Sequence, residues 1–148
     1  MKITKNKTKL RQVCDPLTLQ DSFVVAHKMH RFMLANKDIS ENSLGLACNQ
    51  LGLKGRVILL KINNKWKTII NPQFTYKSDS TMDSFESCLS LPKIRRKIER
   101  NVHVMITMEH NDERDDYREY DFFDLDSCVI QHEIDHLNGI LISEKGDE

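Results

Sequence analysis

The stretch CVIQHEIDHLNG, residues 128–139, sets two histidines four residues apart with a glutamate directly after the first. On a helix, side chains at i and i+4 lie one above the other, so His132 and His136 point the same way and can share one metal ion. Glu133, at the edge of that face, can reach a water at the metal without ligating it. This is the HExxH arrangement, with the carboxylate as general base. The plainer alternative is a polar helix face with ordinary histidines.

The flanking residues supply the helix. Over 125–141, Ile130, Ile134, Leu137 and Leu141 form one apolar stripe. Asp124 or Asp126 is placed to cap its start and Gly139 to end it. A second helix is expected over 21–35, where Phe23, Ala26, Met29, Met33 and Leu34 recur near helical spacing, with Asp21 or Ser22 as cap and Asn36 near the end. Between the helices, RVILLKI (56–62) and WKTIINP (66–72) read as strands joined by an NNK turn. VHVMITME (102–109) alternates like a half-buried strand. The polar run EHNDERDDYREY (109–120) reads as a solvated hairpin loop with its flanks. Helix, strands, helix without βαβ alternation predicts an α+β fold. The expected architecture is antiparallel sheets around a central C-terminal helix that carries the metal ligands, plus an N-terminal helix. At 148 residues one domain, 1–148, is expected.

Composition narrows the function classes. Lys+Arg and Asp+Glu are both 22, so no global basic field points to nucleic acid. No run approaches the roughly 18 apolar residues of a membrane span. The basic start, MKITKNKTKLRQ, lacks the apolar core of a secretory signal. Cys14, Cys48, Cys88 and Cys128 form no CxxC pair, which suits free thiols or ligands in a reducing compartment.

A catalytic metal site needs a third protein ligand and one open position. In zincin proteases that ligand lies downstream of the helix, but here only LNGILISEKGDE remains, offering Glu144, Asp147 and Glu148. An upstream thiolate is the better source. Cys128 shares the histidine face, yet successive members of such a stripe lie about 6 Å apart along the axis. Cys128 and His136 are then separated by about 12 Å, too far for a short side chain. Cys88, in FESCLSLP, can approach from a separate strand. A buried core residue is the commonest fate of a free cysteine. Beside HExxH, ligation becomes the stronger reading. Gly45, in NSLGLACNQLGLKG (42–55), suggests a close backbone approach, and Gln50 can donate a hydrogen bond to a substrate oxygen.

Three stretches in this order resemble the peptide deformylase family, whose pattern runs GxGxAAxQ, EGCLS and QHExDHLxG. Here they read SLGLACNQ (43–50), ESCLS (86–90) and QHEIDHLNG (131–139), and the third match is complete. Fainter echoes are LRQVCDPL near the N-terminus, INP at 70–72 and LPKIRRKIER after the cysteine. Ser43, Cys48 and Ser87 replace a glycine, an alanine and a glycine of the pattern. If the last of these requires a positive φ, serine is strained there; if it serves close packing, serine is tolerated. Nine residues follow Gly139, so the chain looks like a short form without a C-terminal extension, similar to bacteriophage-encoded versions.

The resemblance implies removal of the formyl group from N-formylmethionine of new polypeptides, with release of formate. It implies Cys88, His132 and His136 as ligands of one divalent ion, Fe(II) natively, with Zn(II), Ni(II) or Co(II) also suited to the donors. Glu133 would be the acid/base, and Gln50 with the Leu89 N–H the oxyanion hole. Glu86 and Arg100 match an ion pair beside the site. Gly45 would hydrogen-bond substrate backbone, and the peptide would lie along Leu44–Leu46 as an added strand. Leu44, Leu125 and Cys128 would line the methionine pocket, with Arg95 near its mouth. The implied setting is a monomer acting on nascent chains, at the ribosome, in the cytoplasm of a bacterial or phage-infected cell, without DNA or membrane contact. Two other readings remain: an HExxH metallopeptidase, and a structural or catalytically impaired metal-binding relative with Cys128 as fourth ligand.

Overall fold

The apolar run VILLKI becomes β2 (Val57–Ile62), and its first four residues are buried without alternation. A strand reads that way when both of its faces are covered. In the computed structural model, which describes residues 1–110 and 118–146, two helices pack against β2: α2 (Leu19–Ala35) and α4 (Asp124–Leu137). β1 (Gly45–Ala47) and β3 (Lys65–Ile70) flank β2 in an antiparallel sheet of order β1-β2-β3. A second antiparallel sheet has the order β4-β7-β8, from β4 (Gln73–Lys77), β7 (His103–Thr107) and β8 (Tyr120–Phe123). β5 (Thr81–Cys88) and β6 (Leu91–Asn101) form a separate two-stranded ribbon. Two short helices, α1 (Lys7–Leu10) and α3 (Lys37–Asn42), complete the α-helices among the described residues. α4 touches strands of all three sheets. This is the α+β arrangement around a central C-terminal helix that the sequence predicts.

The strand predictions hold with small shifts. The turn between β2 and β3 is Asn63–Asn64, at φ 49° and 62°, and Lys65 already pairs with Ile62. Two left-handed residues make the hairpin turn whose twist matches the strands, and asparagine tolerates that conformation. β3 ends at Ile70, before the expected limit at Pro72. In β7, Val104 and Ile106 are buried while their neighbours are only partly covered, as the alternation requires. Of the loop expected over 109–120, residues 111–117 lie outside the described residues.

The helix predictions need correction at their ends. α2 begins earlier, at Leu19, because the Thr18 hydroxyl accepts the Asp21 N–H at 3.1 Å. Asp21 and Ser22 are inside the helix. Its buried face is Val25, Ala26, Met29, Phe32 and Met33, while Phe23 and Leu34 are 43% and 85% exposed. Neither aspartate caps α4. Asp124 opens it at φ 52°, bending the chain out of β8, and Phe123 is the cap residue with no side-chain bond. Gly139, at φ 71°, ends α4 as expected, and a Cβ there would overlap the Arg11 carbonyl. Leu141 lies past the helix and packs in a small second cluster with Leu10, Cys88, Leu91, Ile98 and Ile142. No described helix is long and apolar enough to cross a membrane.

Candidate active site

Helical spacing brings His132 and His136 together edge to face, with ring centroids 5.0 Å apart. Cys88 ends β5, where the pairing slips from Ser87↔Arg95 to Cys88↔Leu91. Such a slip re-aims a side chain, and the Cys88 Sγ stands 3.3 Å from His136 Nε2. One ligand atom from each of Cys88, His132 and His136 fits within a 4.8 Å cluster. Cys128 is not part of it, as the helix spacing predicts. Glu144 pairs instead with Arg11 at 2.5 Å, and Asp147 and Glu148 lie outside the described residues. Ser87 has no positive φ, so serine is unstrained there.

The Glu86 carboxylate holds His132 Nδ1 at 2.8 Å. A carboxylate only accepts, so Nδ1 carries the hydrogen and Nε2 is left for a metal. Glu86 in turn accepts two bonds from Arg100, at 2.9 Å from Nε and 2.8 Å from Nη2. Arg100 Nη1 donates to Asp135 at 2.7 Å, and Lys145 reaches the same Asp135 oxygen at 3.1 Å. Arg100 is 3% exposed. Burial opposes the ionised Glu86, but its bonds from Arg100 and His132 hold it down at about 2.

The two imidazoles differ in charge. Burial would lower His132, but its bonds to Cys88 and Glu86 and the nearby Glu133 carboxylate push it up to about 10. Burial and the neighbouring His132 push His136 down to about 3. One sulfur and two imidazole nitrogens suit Zn, Fe, Ni or Co, and three protein donors leave a position open. The carboxylate behind His132 is the usual support for a ligating histidine. The residues present therefore fit one divalent metal ion.

Glu133 faces the same space, its Oε1 4.0 Å from His132 Nε2. Burial pushes it up to about 7, and its Oε2 is buried without a hydrogen-bond partner. A Cβ on Gly45 would come within 2.7 Å of its Oε1 and 2.8 Å of its Cγ. The glycine is what lets β1 approach the carboxylate. Gln50 lies in the 3₁₀ turn Cys48–Leu51 that follows β1. Its Oε1 accepts the Ala47 N–H at 3.0 Å, so its amide hydrogens must point the other way. They meet Ser90 Oγ at 3.3 Å and Cys88 Sγ at 3.6 Å.

A cavity of about 400 Å³ opens over this cluster. Leu44, Gly45, Gln50, Glu86, Leu89, Arg95, Leu125, Cys128, His132 and Glu133 all line it, together with Cys88. Leu46 does not. Its side chain is fully buried in the main core, so only its backbone, on edge strand β1, is available to a ligand. Sequence reasoning missed Asp135, Ser90 and Asn49. Asp135 lies inside the HEIDH motif, and an acid between two histidines was a usable signal. Asn49 donates to the His136 carbonyl at 2.8 Å and secures the end of α4, which no spacing announces.

Glu86 should stabilise the fold through its charge. Its folded value lies below the ordinary one, so this stability is complete above about pH 4.5 and disappears as pH falls toward about 2. Glu86→Gln should cost about 3 kcal/mol at pH 7 in metal-free protein. The gap to wild type should shrink across that acid window in denaturant melts, and a gap independent of pH would refute the assignment.

A model of the polypeptide deformylase family matches residues 1–148. The peptide deformylase of Pseudothermotoga lettingae is 32% identical over 138 residues, covering 90% of this chain and 79% of its own. The crystal structure of peptide deformylase from Thermotoga maritima shares 27% identity at a TM-score of 0.81, covering 100% of this chain and 97% of that one. A probable peptide deformylase from synechococcus phage S-SSM7 also shares 27% identity, at a TM-score of 0.80, covering 98% and 99% of the two chains. With all three motifs gathered around one cavity, the chain belongs to the polypeptide deformylase family.

Proposed function

We propose that this chain removes the formyl group from the N-formylmethionine that begins new polypeptides, releasing formate, with residues 1–148 acting as one catalytic domain. The carrying observation is the buried Glu133 carboxylate, one oxygen of which has no hydrogen-bond partner, raised to about 7 beside the Cys88–His132–His136 cluster. A group that must take a proton and give it back works best near ambient pH.

Leu44, Leu125 and Cys128 offer the thioether of methionine an apolar wall. The unpaired edge of β1 offers the following residues a strand partner, and Arg95 stands at the mouth. The formyl oxygen is received by the Gln50 amide and the Leu89 N–H. Removing one such donor costs about 3–4 kcal/mol of transition-state stabilisation in other enzymes. Glu133 takes a proton from the attacking water and delivers it to the departing amine. Cys88, His132 and His136 would hold one divalent ion, which when bound supplies the charge that brings the pKa of water from about 15.7 toward about 7. Fe(II) is the native ion on the family resemblance, and the same donors accept Zn(II), Ni(II) or Co(II). The setting is the cytoplasm of a bacterial or phage-infected cell, where a monomer meets nascent chains at the ribosome.

Formate release from a formyl-Met peptide, with an acetyl-Met peptide as control, tests the activity. Glu133→Gln should keep its metal by elemental analysis and lose turnover by about 10²–10⁴-fold. Near-normal turnover in this variant would sink the proton role.

Cys88→Ala should abolish metal binding. Cys128→Ala should keep the metal and shift KM for the methionine side chain by several-fold. The reverse pattern of metal content would overturn the ligand assignment.

Protein loaded with Fe(II) under anaerobic conditions should turn over faster than the zinc form and lose activity in air, since iron and the Cys88 sulfur both oxidise. Equal, air-stable rates would remove iron from the proposal.

A further inference from the structure

The β5–β6 ribbon has two faces, and the metal cluster uses one. Glu86, Cys88 and Arg100 point toward α4, where they meet His132, His136 and Asp135. Successive side chains of a strand alternate, so Phe85, Ser87, Arg95 and Lys97 stand on the other face. All four are exposed. Cross-strand pairing sets Phe85 beside Lys97 and Ser87 beside Arg95. Phe85 is 81% exposed, an aromatic residue left open beside a cation.

This outer face runs on from the cavity, which Phe85, Ser87 and Arg95 also line. Its two cations have no acid to answer them. Among the described residues, neither Arg95 nor Lys97 lies within ion-pair distance of a carboxylate. The acids of the face, Asp83 and Glu99, are paired across the ribbon beyond the residues that line the cavity, and Glu99 Oε1 accepts the Thr81 hydroxyl at 2.9 Å. Inside the cavity, Glu86 is engaged by Arg100 and His132. On the opposite wall, Asn42, Ser43 and Leu44 carry no charge. A wall of one sign concentrates ligands of the other.

Resting on the deformylase reading, we propose that Arg95 and Lys97 select polypeptides that carry acidic side chains shortly after the first methionine. With methionine in its pocket and the next residues paired to β1, the chain leaves between β1 and the ribbon, because the cavity is walled by both. Arg95 and Lys97 are two residues apart on β6, about 6–7 Å along the strand. Alternate side chains of an extended peptide repeat at the same interval, so glutamates at its third and fifth positions match the two cations. Phe85 gives the methylenes of those side chains an apolar surface. Exposed ion pairs contribute little each, up to about five-fold in affinity. They form in the bound substrate and the transition state alike, so the preference belongs to KM and not to kcat.

The test gives the metal-loaded full chain three peptides, formyl-Met-Ala-Glu-Ala-Glu and its Gln and Lys counterparts, and measures formate release at low salt. The Glu peptide should have a KM about five-fold below that of the Gln peptide, and the Lys peptide the highest of the three. The spread should shrink as salt screens the charges. Lys97→Glu should invert the order of the Glu and Lys peptides, and Lys97→Arg should keep it. The same peptides without formyl, followed by fluorescence anisotropy, should bind in the same order, which reads the preference without turnover. Equal values for the three peptides, an order that Lys97→Glu leaves unchanged, or binding of oligouridylate without discrimination among the peptides would overturn the proposal. Formate from none of the peptides, with the binding order intact, would instead count against the deformylase reading alone.

Discussion

Arg100 is a guanidinium held almost without water, and the site is arranged around that fact. A bare charge at 3% exposure would cost several kcal/mol, so it needs carboxylates and good geometry. It has both. Its planar fork meets Glu86 with two nitrogens and Asp135 with the third. Glu86 belongs to β5, Arg100 to β6 and Asp135 to α4. One buried side chain thereby fixes the ribbon against the helix. The separation between Cys88 on β5 and the histidines on α4 depends on that fixation, and so does the ring of His132.

The same burial acts on each group of the site with a different result, because each has different neighbours. Glu86 has two cationic partners and stays ionised. Glu133 has an oxygen with no partner, and burial raises it. His132, bonded to Glu86, holds a proton that buried His136 gives up. A cation between Cys88 and the two imidazoles would meet the negative charge that the His132 proton otherwise balances. Gly45 completes the arrangement by leaving room for the Glu133 carboxylate.

The four cysteines are similar in sequence and separate in chemistry. Cys88 stands with the two histidines. Cys128 is a cavity wall whose thiol burial pushes up. Cys14 packs against the core that contains Cys48, with its thiol lowered and that of Cys48 raised. Neighbours decide reactivity more than residue type does.

The sequence by itself determined what depends on local periodicity. His132 and His136 share a face because a helix repeats every 3.6 residues. Cys128 is excluded from the cluster by the same geometry, and the β2–β3 hairpin follows from alternation and two asparagines. Even there the ends were misjudged. Thr18, not Asp21, caps α2, and Asp124 bends the chain instead of capping α4. Whether Phe23 and Leu34 faced the core also required knowing what α2 packs on. Tertiary structure decided everything that joins distant segments: the Asp135–Arg100–Glu86–His132 chain, the Ala47 N–H that turns the Gln50 amide toward Cys88, the burial of Leu46, and the packing of Cys14 against the core. These contacts depend on which strands lie beside α4. That is settled by packing and by pairing buried charges across the whole chain, and no local spacing encodes it.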